Sequence, residues 1–308
     1  MPTIWVLNYT AIFLLALLPW IGVIPCRAES ANAMVYVLNG PQSPADHRYD
    51  FHWEILKTAL ERTVAKHGPY RIEKSAAMSE ARQTQELQDA TGKLTVMYLG
   101  TSPELERDLI PVRIPVDKNL SGYFVLLIRS ENAAKFRDAQ TLEGLKKFTF
   151  GLGVDWLDNL VYEHNGLRVT KGSEYDGLFE MLLNSRFDAF PRSGVEVMQE
   201  YTQRRAAMPD LFIEETLLIY YPWPMYFWFS KNAEGLRLSA RAAEGMWSMI
   251  EDGTYNKIFE KHFHDDIERL NLKKRKLIEL KNPRLTPATP LQDKRLWFVP
   301  TASESKAK

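Results

Sequence analysis

The chain is almost without cysteine: Cys26 stands alone among 308 residues. A lone cysteine excludes an internal disulfide framework, so stability has to come from packing. No Cys/His pair and no G-x-S-x-G sequence is present, which leaves no thiol nucleophile and no nucleophile elbow. The six histidines are scattered. His262 and His264 lie two apart, which does not place them on one helix face, so no metal site and no cofactor is expected. Charge of one sign is lacking too. The formal net charge is +0, and no global field draws the chain to nucleic acid or to an anionic membrane. No internal repeat is visible.

Long apolar runs are equally scarce. Residues 11–24 form the only one, broken by Pro19 and Gly22 and followed by Pro25. It falls short of the roughly 20 apolar residues that a membrane span needs. Small residues follow, with Cys26 and Ala28 or Ala31 and Ala33 as pairs before a cleavage point. A secretory signal peptide over residues 1–28 is the expectation. The alternative is an uncleaved anchor, since the first ten residues contain neither Lys nor Arg. Pro25 before Cys26 fits a lipoprotein signal poorly. Export to a bacterial periplasm follows.

What the chain does have is strands alternating with helices. MVYVLN (34–39) reads as a buried first strand, and Trp53, Leu56, Leu60 and Val64 recur at helical spacing until Gly68 and Pro69. A strand at 70–75, a polar helix at 79–90 and a strand at 93–102 complete a first α/β unit. Residues 113–130 contain two extended apolar stretches split by a polar turn. The pattern then repeats, with Ser173 as a helix cap and Asp176 three residues on. Residues 215–231 are the most aromatic stretch, and Pro222 and Pro224 deny a regular central strand there. Two amphipathic helices follow. Beyond residue 263 come KKRK (273–276), read as a basic helix, and a Pro-rich strap anchored by Trp297 and Phe298.

Two segments, 141–201 and 247–263, together resemble the second lobe and closing helices of type II periplasmic solute-binding proteins, the group that includes amino-acid receptors of ABC transporters. The resemblance implies a two-lobe α/β fold, each lobe a mainly parallel sheet flanked by helices, with two hinge crossings between them. Lobe 1 would take residues 29–130 up to the first crossing and lobe 2 residues 131–214. Residues 215–263 would return and close lobe 1, and 264–308 would lie on it as helix and strap. It also implies a monomer that captures a small-molecule solute and presents it to a transporter permease or a membrane sensor.

Parallel sheets bind ligands at the carboxyl ends of their strands, where helix N-termini offer free N–H groups. That rule selects Thr101 and Ser102 after the third strand, and Asp155 and Trp156 in GLGVDW beside Gly151 and Gly153. In the receptors this chain resembles, a Thr closely followed by Arg grips the ligand carboxylate. Here Arg107 arrives later than that pattern wants. Those receptors also carry an acid shortly after the equivalent of Asp188-Ala189, where this chain has Arg192 and Ser193. A guanidinium there suggests an anionic solute. Arg48 and Tyr49 in the first loop are further candidates, as are Trp223 and Tyr226 beside Tyr221. Each has a plainer reading: Thr101, Ser102 and Asp155 as helix caps, Arg192 paired with a neighbouring acid, the aromatics as hinge core. Catalysis has no support, so the chain is read as a non-enzyme. The rival readings are a dehydratase-like enzyme on the same scaffold and a protein that acts through partners without a solute.

Overall fold

In the computed structural model, residues 1–3, 33–41 and 49–300 are described. Residues 4–28 of the expected signal segment, Cys26 among them, and Arg48 lie outside them. Twelve strands are present among the described residues: β1 (Met34–Leu38), β2 (Tyr70–Lys74), β3 (Met97–Gly100), β4 (Leu109–Val112), β5 (Tyr123–Arg129), β6 (Thr149–Gly153), β7 (Arg168–Gly172), β8 (Ala189–Ser193), β9 (Leu211–Ile213), β10 (Leu217–Tyr220), β11 (Met225–Ser230) and β12 (Lys276–Glu279). They divide between two lobes.

In the first lobe β1 and β2 run parallel, while β11 lies antiparallel between β3 and β4. The two groups are stitched together just before β3, where the amides of Thr95 and Val96 donate to Val37 O. Alternation along β11 gives the sheet two different faces. Phe227 and Phe229 point toward the helices Asp50–Arg62, Ala233–Glu251 and Thr254–Leu270, whose apolar stripes form the main core. Tyr226 and Trp228 point the other way, into a smaller cluster with Leu87 and Leu105. Gly245 lets the long helix Ala233–Glu251 meet the Asp50–Arg62 helix closely, because a Cβ there would lie 2.0 Å from Ala59 O.

The second lobe is built on the order β12-β10-β5-β8-β6-β7, with β9 paired to the far end of β5. β5 alone runs against the others. It is covered on both faces, which is why its run of apolar residues does not alternate with polar ones. Val125 and Leu127 join one core, while Leu126 and Ile128 join the other with Phe150, Tyr162 and Ile219.

The chain crosses between lobes at 113–122 and again at 221–224, so β5 and β10 belong to the second sheet. Pro222 and Pro224 both fall in the unpaired link between β10 and β11, where no ladder hydrogen bond is lost. The segment beyond residue 263 differs from its expected shape. The helix continues to Leu270, and KKRK passes through a short 3₁₀ turn into β12. Arg275 explains the departure from a solvated helix. Its side chain is buried and donates to the carbonyls of Leu270, Glu214 and Leu217, with the Glu214 carboxylate 3.8 Å away. One of the four basic residues is thus a staple between the helix end and the second sheet.

Candidate functional site

The turns that follow β3 and β6 and the end of β8 face the junction of the lobes, and a chain of contacts connects them. Trp223, in the second crossing, lays its indole over the turn after β3: a Cβ on Gly100 would fall 2.0 Å from Trp223 Nε1. Its own amide donates to Asn119 Oδ1 at 2.7 Å, from the first crossing. Tyr221 lies 5.8 Å from the Trp223 ring and gives its hydroxyl hydrogen to Asp158, at the start of the helix Asp158–His164 that follows β6. Burial raises the Asp158 carboxyl above its ordinary range even though Tyr221 supports the charge. Tyr162, beside it, has its hydroxyl buried with no hydrogen-bond partner.

The first-lobe wall is aromatic. Tyr49 lies about 6 Å from both His52 and Trp53, and the His52 and Tyr98 rings are 3.8 Å apart. Behind them Trp53 stacks on Phe227 at 6.0 Å. Burial lowers the His52 imidazole to about 3, with His262 adding to the effect, so the ring is neutral; its Nδ1 has no partner. Tyr98 is held well above the usual phenol range by burial first, then by the charges of Asp117 and Glu196. Glu196 belongs to the second lobe, so its field reaches Tyr98 from the opposite wall.

The second-lobe wall centres on Arg192. Its Nε donates to Glu200 Oε2 at 2.7 Å, and Nη2 serves both Glu200 Oε1 and Glu196 Oε2. The guanidinium lies 5.0 Å from the Trp156 ring and 5.1 Å from Phe190, and Tyr175 donates to Glu200 at 2.6 Å. Burial alone would weaken its hold on the proton, but Glu196 and Glu200 outweigh that and raise it. The planar fork that suggested an anion is thus occupied by the protein's own carboxylates. Gly153 is required beside it, since a Cβ would lie 2.5 Å from Trp156 Nε1.

The expected site residues therefore separate. Trp156 and Arg192 pack together on the second lobe, Tyr49 packs with His52, Trp53 and Tyr98 on the first, and Trp223 lies in the second crossing. Ser193 is buried, with Oγ accepting from Val195 N at 3.3 Å. Ser102 is spent as a helix cap, accepting from Leu105 N at 3.2 Å. Thr101 is 4% exposed, with its hydroxyl toward Glu106. Asp155 is exposed. Tyr226 is fully buried and faces Leu87, away from the junction, because it occupies the opposite face of β11 from Phe227. Asp158, Tyr98, His52, Glu196 and Glu200 were not singled out from the sequence. For the two glutamates a signal exists: they stand four apart, Glu196 as the N-cap and Glu200 in the first turn of the helix Val197–Arg204 that follows β8.

Among the described residues no group of three or more His, Cys, Asp or Glu is placed to hold a metal ion, and no helix is long and apolar enough to cross a membrane. No family model and no curated protein matches the chain. Solved structures do. The GluR0 ligand-binding core in complex with L-glutamate matches with a TM-score of 0.52 at 14% identity, over 76% of this chain and 99% of that one. An ancestral arginine-binding protein bound to arginine gives 0.51 at 18%, over 75% and 99%. An arginine-specific periplasmic binding protein from Salmonella typhimurium gives 0.50 at 13%, over 75% and 100%. The fold is that of the type II periplasmic binding proteins.

Proposed function

We propose that this chain is an exported solute-binding protein that captures a small polar solute between its lobes and delivers it to an ABC-type transporter or a membrane sensor. The observation that carries the reading is the meeting of the two sheet edges. The Gly100 turn, Trp223, Tyr221 and Asp158 form one connected floor. Both lobes carry rings near their edges, Tyr49 and Tyr98 on the first and Trp156 on the second, and such rings would suit a ligand with an apolar body and polar ends. An unpaired Arg192 would favour an anionic solute. Because that guanidinium already serves Glu196 and Glu200, the solute we propose is polar with no charge set by Arg192. A ligand bridging both walls would further stabilise the closed arrangement of the lobes.

The purified protein, compared by native and denaturing mass spectrometry, should lose a small mass on denaturation. If the solute is lost during purification, a thermal screen of amino acids and small organic acids replaces it. A ligand at about 100 times its dissociation constant adds roughly 2.7 kcal/mol of stability. No mass loss and no thermal shift with any compound would overturn the reading in favour of a protein that acts without a solute.

A further inference from the structure

The last part of the chain does more than lie on the first lobe. β12 is a strand of the second sheet, parallel to β10, and Asn165 of the second lobe bonds Lys281 through both its amide groups, at 2.8 and 2.9 Å. Immediately afterwards the chain returns. Asn282 donates to Pro222 O in the second crossing at 2.8 Å. Arg284 pairs with Glu104, and Thr286 donates to Glu106 Oε1 at 3.2 Å, both on the first lobe. Arg295 lies 5.2 Å from the Trp247 ring of the long first-lobe helix, and Leu296 is fully buried. The segment ends back at the first crossing, where Phe298 N donates to Lys118 O at 2.7 Å and its carbonyl accepts from Tyr123 of β5 at 2.9 Å.

The helix that precedes β12 makes the same journey. It starts in the first lobe, where the Tyr255 hydroxyl donates to Pro115 O, and ends where Arg275 grips Leu270, Glu214 and Leu217 at the second sheet. A hinge of two short crossings can absorb a large change of dihedral angles in a few residues. Here a helix of 17 residues and a strap bonded at both ends run alongside those crossings. Any opening must break the contacts at one end of the strap.

We propose that residues 276–298 are a clasp that fixes the angle between the lobes, so that the intact protein holds one narrow arrangement and opens widely only when the strap detaches from Glu104, Glu106 and Trp247. The inference concerns the lobes themselves and stands whether or not a solute binds.

Spin labels at Lys74→Cys in the first lobe and Lys171→Cys in the second, with Cys26→Ser, report the interlobe distance by pulsed electron resonance. Both lysines are exposed. The full chain should give one narrow distance distribution. Truncation after Lys281 should broaden it and lengthen its mean. If the truncated chain loses its circular dichroism, the variant Arg284→Ala, Thr286→Val, Arg295→Ala decides instead, because it removes the strap's first-lobe contacts and leaves its backbone complete. A broad distribution in the intact chain, or an unchanged narrow one in the variant, overturns the proposal.

Discussion

Arg192 and Glu200 face each other as a two-point pair: Nε lies 2.7 Å from Oε2, and Nη2 bonds Oε1. Both side chains are nearly buried, at 8% and 10% exposure. The pair spans the end of β8 and the helix Val197–Arg204, so it fixes how that helix sits on the second-lobe edge. Trp156 and Phe190 cover the guanidinium and keep water from the pair. The wall of the junction is therefore held by an internal ion pair rather than primed with a spare charge.

Removing one partner should be costly because the other is left charged and buried. Arg192→Leu is expected to destabilise the protein by about 3–5 kcal/mol, measured by urea unfolding. The double variant Arg192→Met, Glu200→Leu should regain most of that, since neither charge is then stranded. Equal losses in the single and double variants would show that packing, not pairing, sets the cost.

The limits of the sequence lie in contacts between distant residues. Turn chemistry sufficed for β6, β7 and β8, because each is a short segment closed by glycine or a polar turn and separated from the next by a helical pattern. The two prolines of 221–224 marked the return crossing for a local reason, the missing amide. β12 was hidden: Lys276–Glu279 carries only two apolar residues, and its strand state depends on an edge offered by β10. Arg192 was visible as a charge at a strand end. Its neutralisation depends on the following helix folding back over β8, which no local pattern states. Tyr226 and Phe227 are both large aromatics, and only the alternation along β11 sends Phe227 to the main core under the helices and Tyr226 to the smaller cluster with Leu87.

Arg241 offers a second test of a buried cation. It is fully buried in the helix Ala233–Glu251 and donates to Thr63 Oγ1 at 3.0 Å and Gly68 O at 2.8 Å, with Leu60 O and Pro69 O at 3.4 Å. These carbonyls end the Asp50–Arg62 helix and the turn after it, where a positive charge is favourable. Arg241→Met would strand them, at a cost of roughly 3 kcal/mol in urea unfolding. Arg241→Lys keeps the charge but loses the fork, so its cost should be intermediate.

Gly100 should tolerate nothing larger. Alanine there meets the Trp223 indole at 2.0 Å, and the ring cannot tilt without moving the crossing that carries it. Gly100→Ala is expected to lower stability by about 1–3 kcal/mol and to change the tryptophan emission. Gly177 provides the control: it lies in the helix Tyr175–Leu183, and an added Cβ would come no nearer than 3.5 Å to Glu174. Gly177→Ala should be neutral or stabilising by roughly 0.4–1 kcal/mol.

His52 gives the fold a dependence on pH whose sign can be worked out. In the folded chain burial holds the imidazole at about 3, whereas in the unfolded chain it returns to its ordinary value of 6.5. Above that value neither state carries the proton, and the contribution to stability is complete. As pH falls below it, the unfolded chain gains a proton that the folded chain refuses until about 3, so stability drops by about 1.4 kcal/mol per pH unit. Between pH 6.5 and 5 the loss from this group alone is about 2 kcal/mol. His52→Phe keeps an aromatic ring against Tyr98 and removes both the titration and the unpartnered Nδ1. Unfolding curves of the two proteins at pH 7 and pH 5 should therefore diverge, with the variant the more stable at pH 5. Parallel losses would mean that the folded imidazole takes up its proton in the ordinary range, and that the aromatic wall opens to water there.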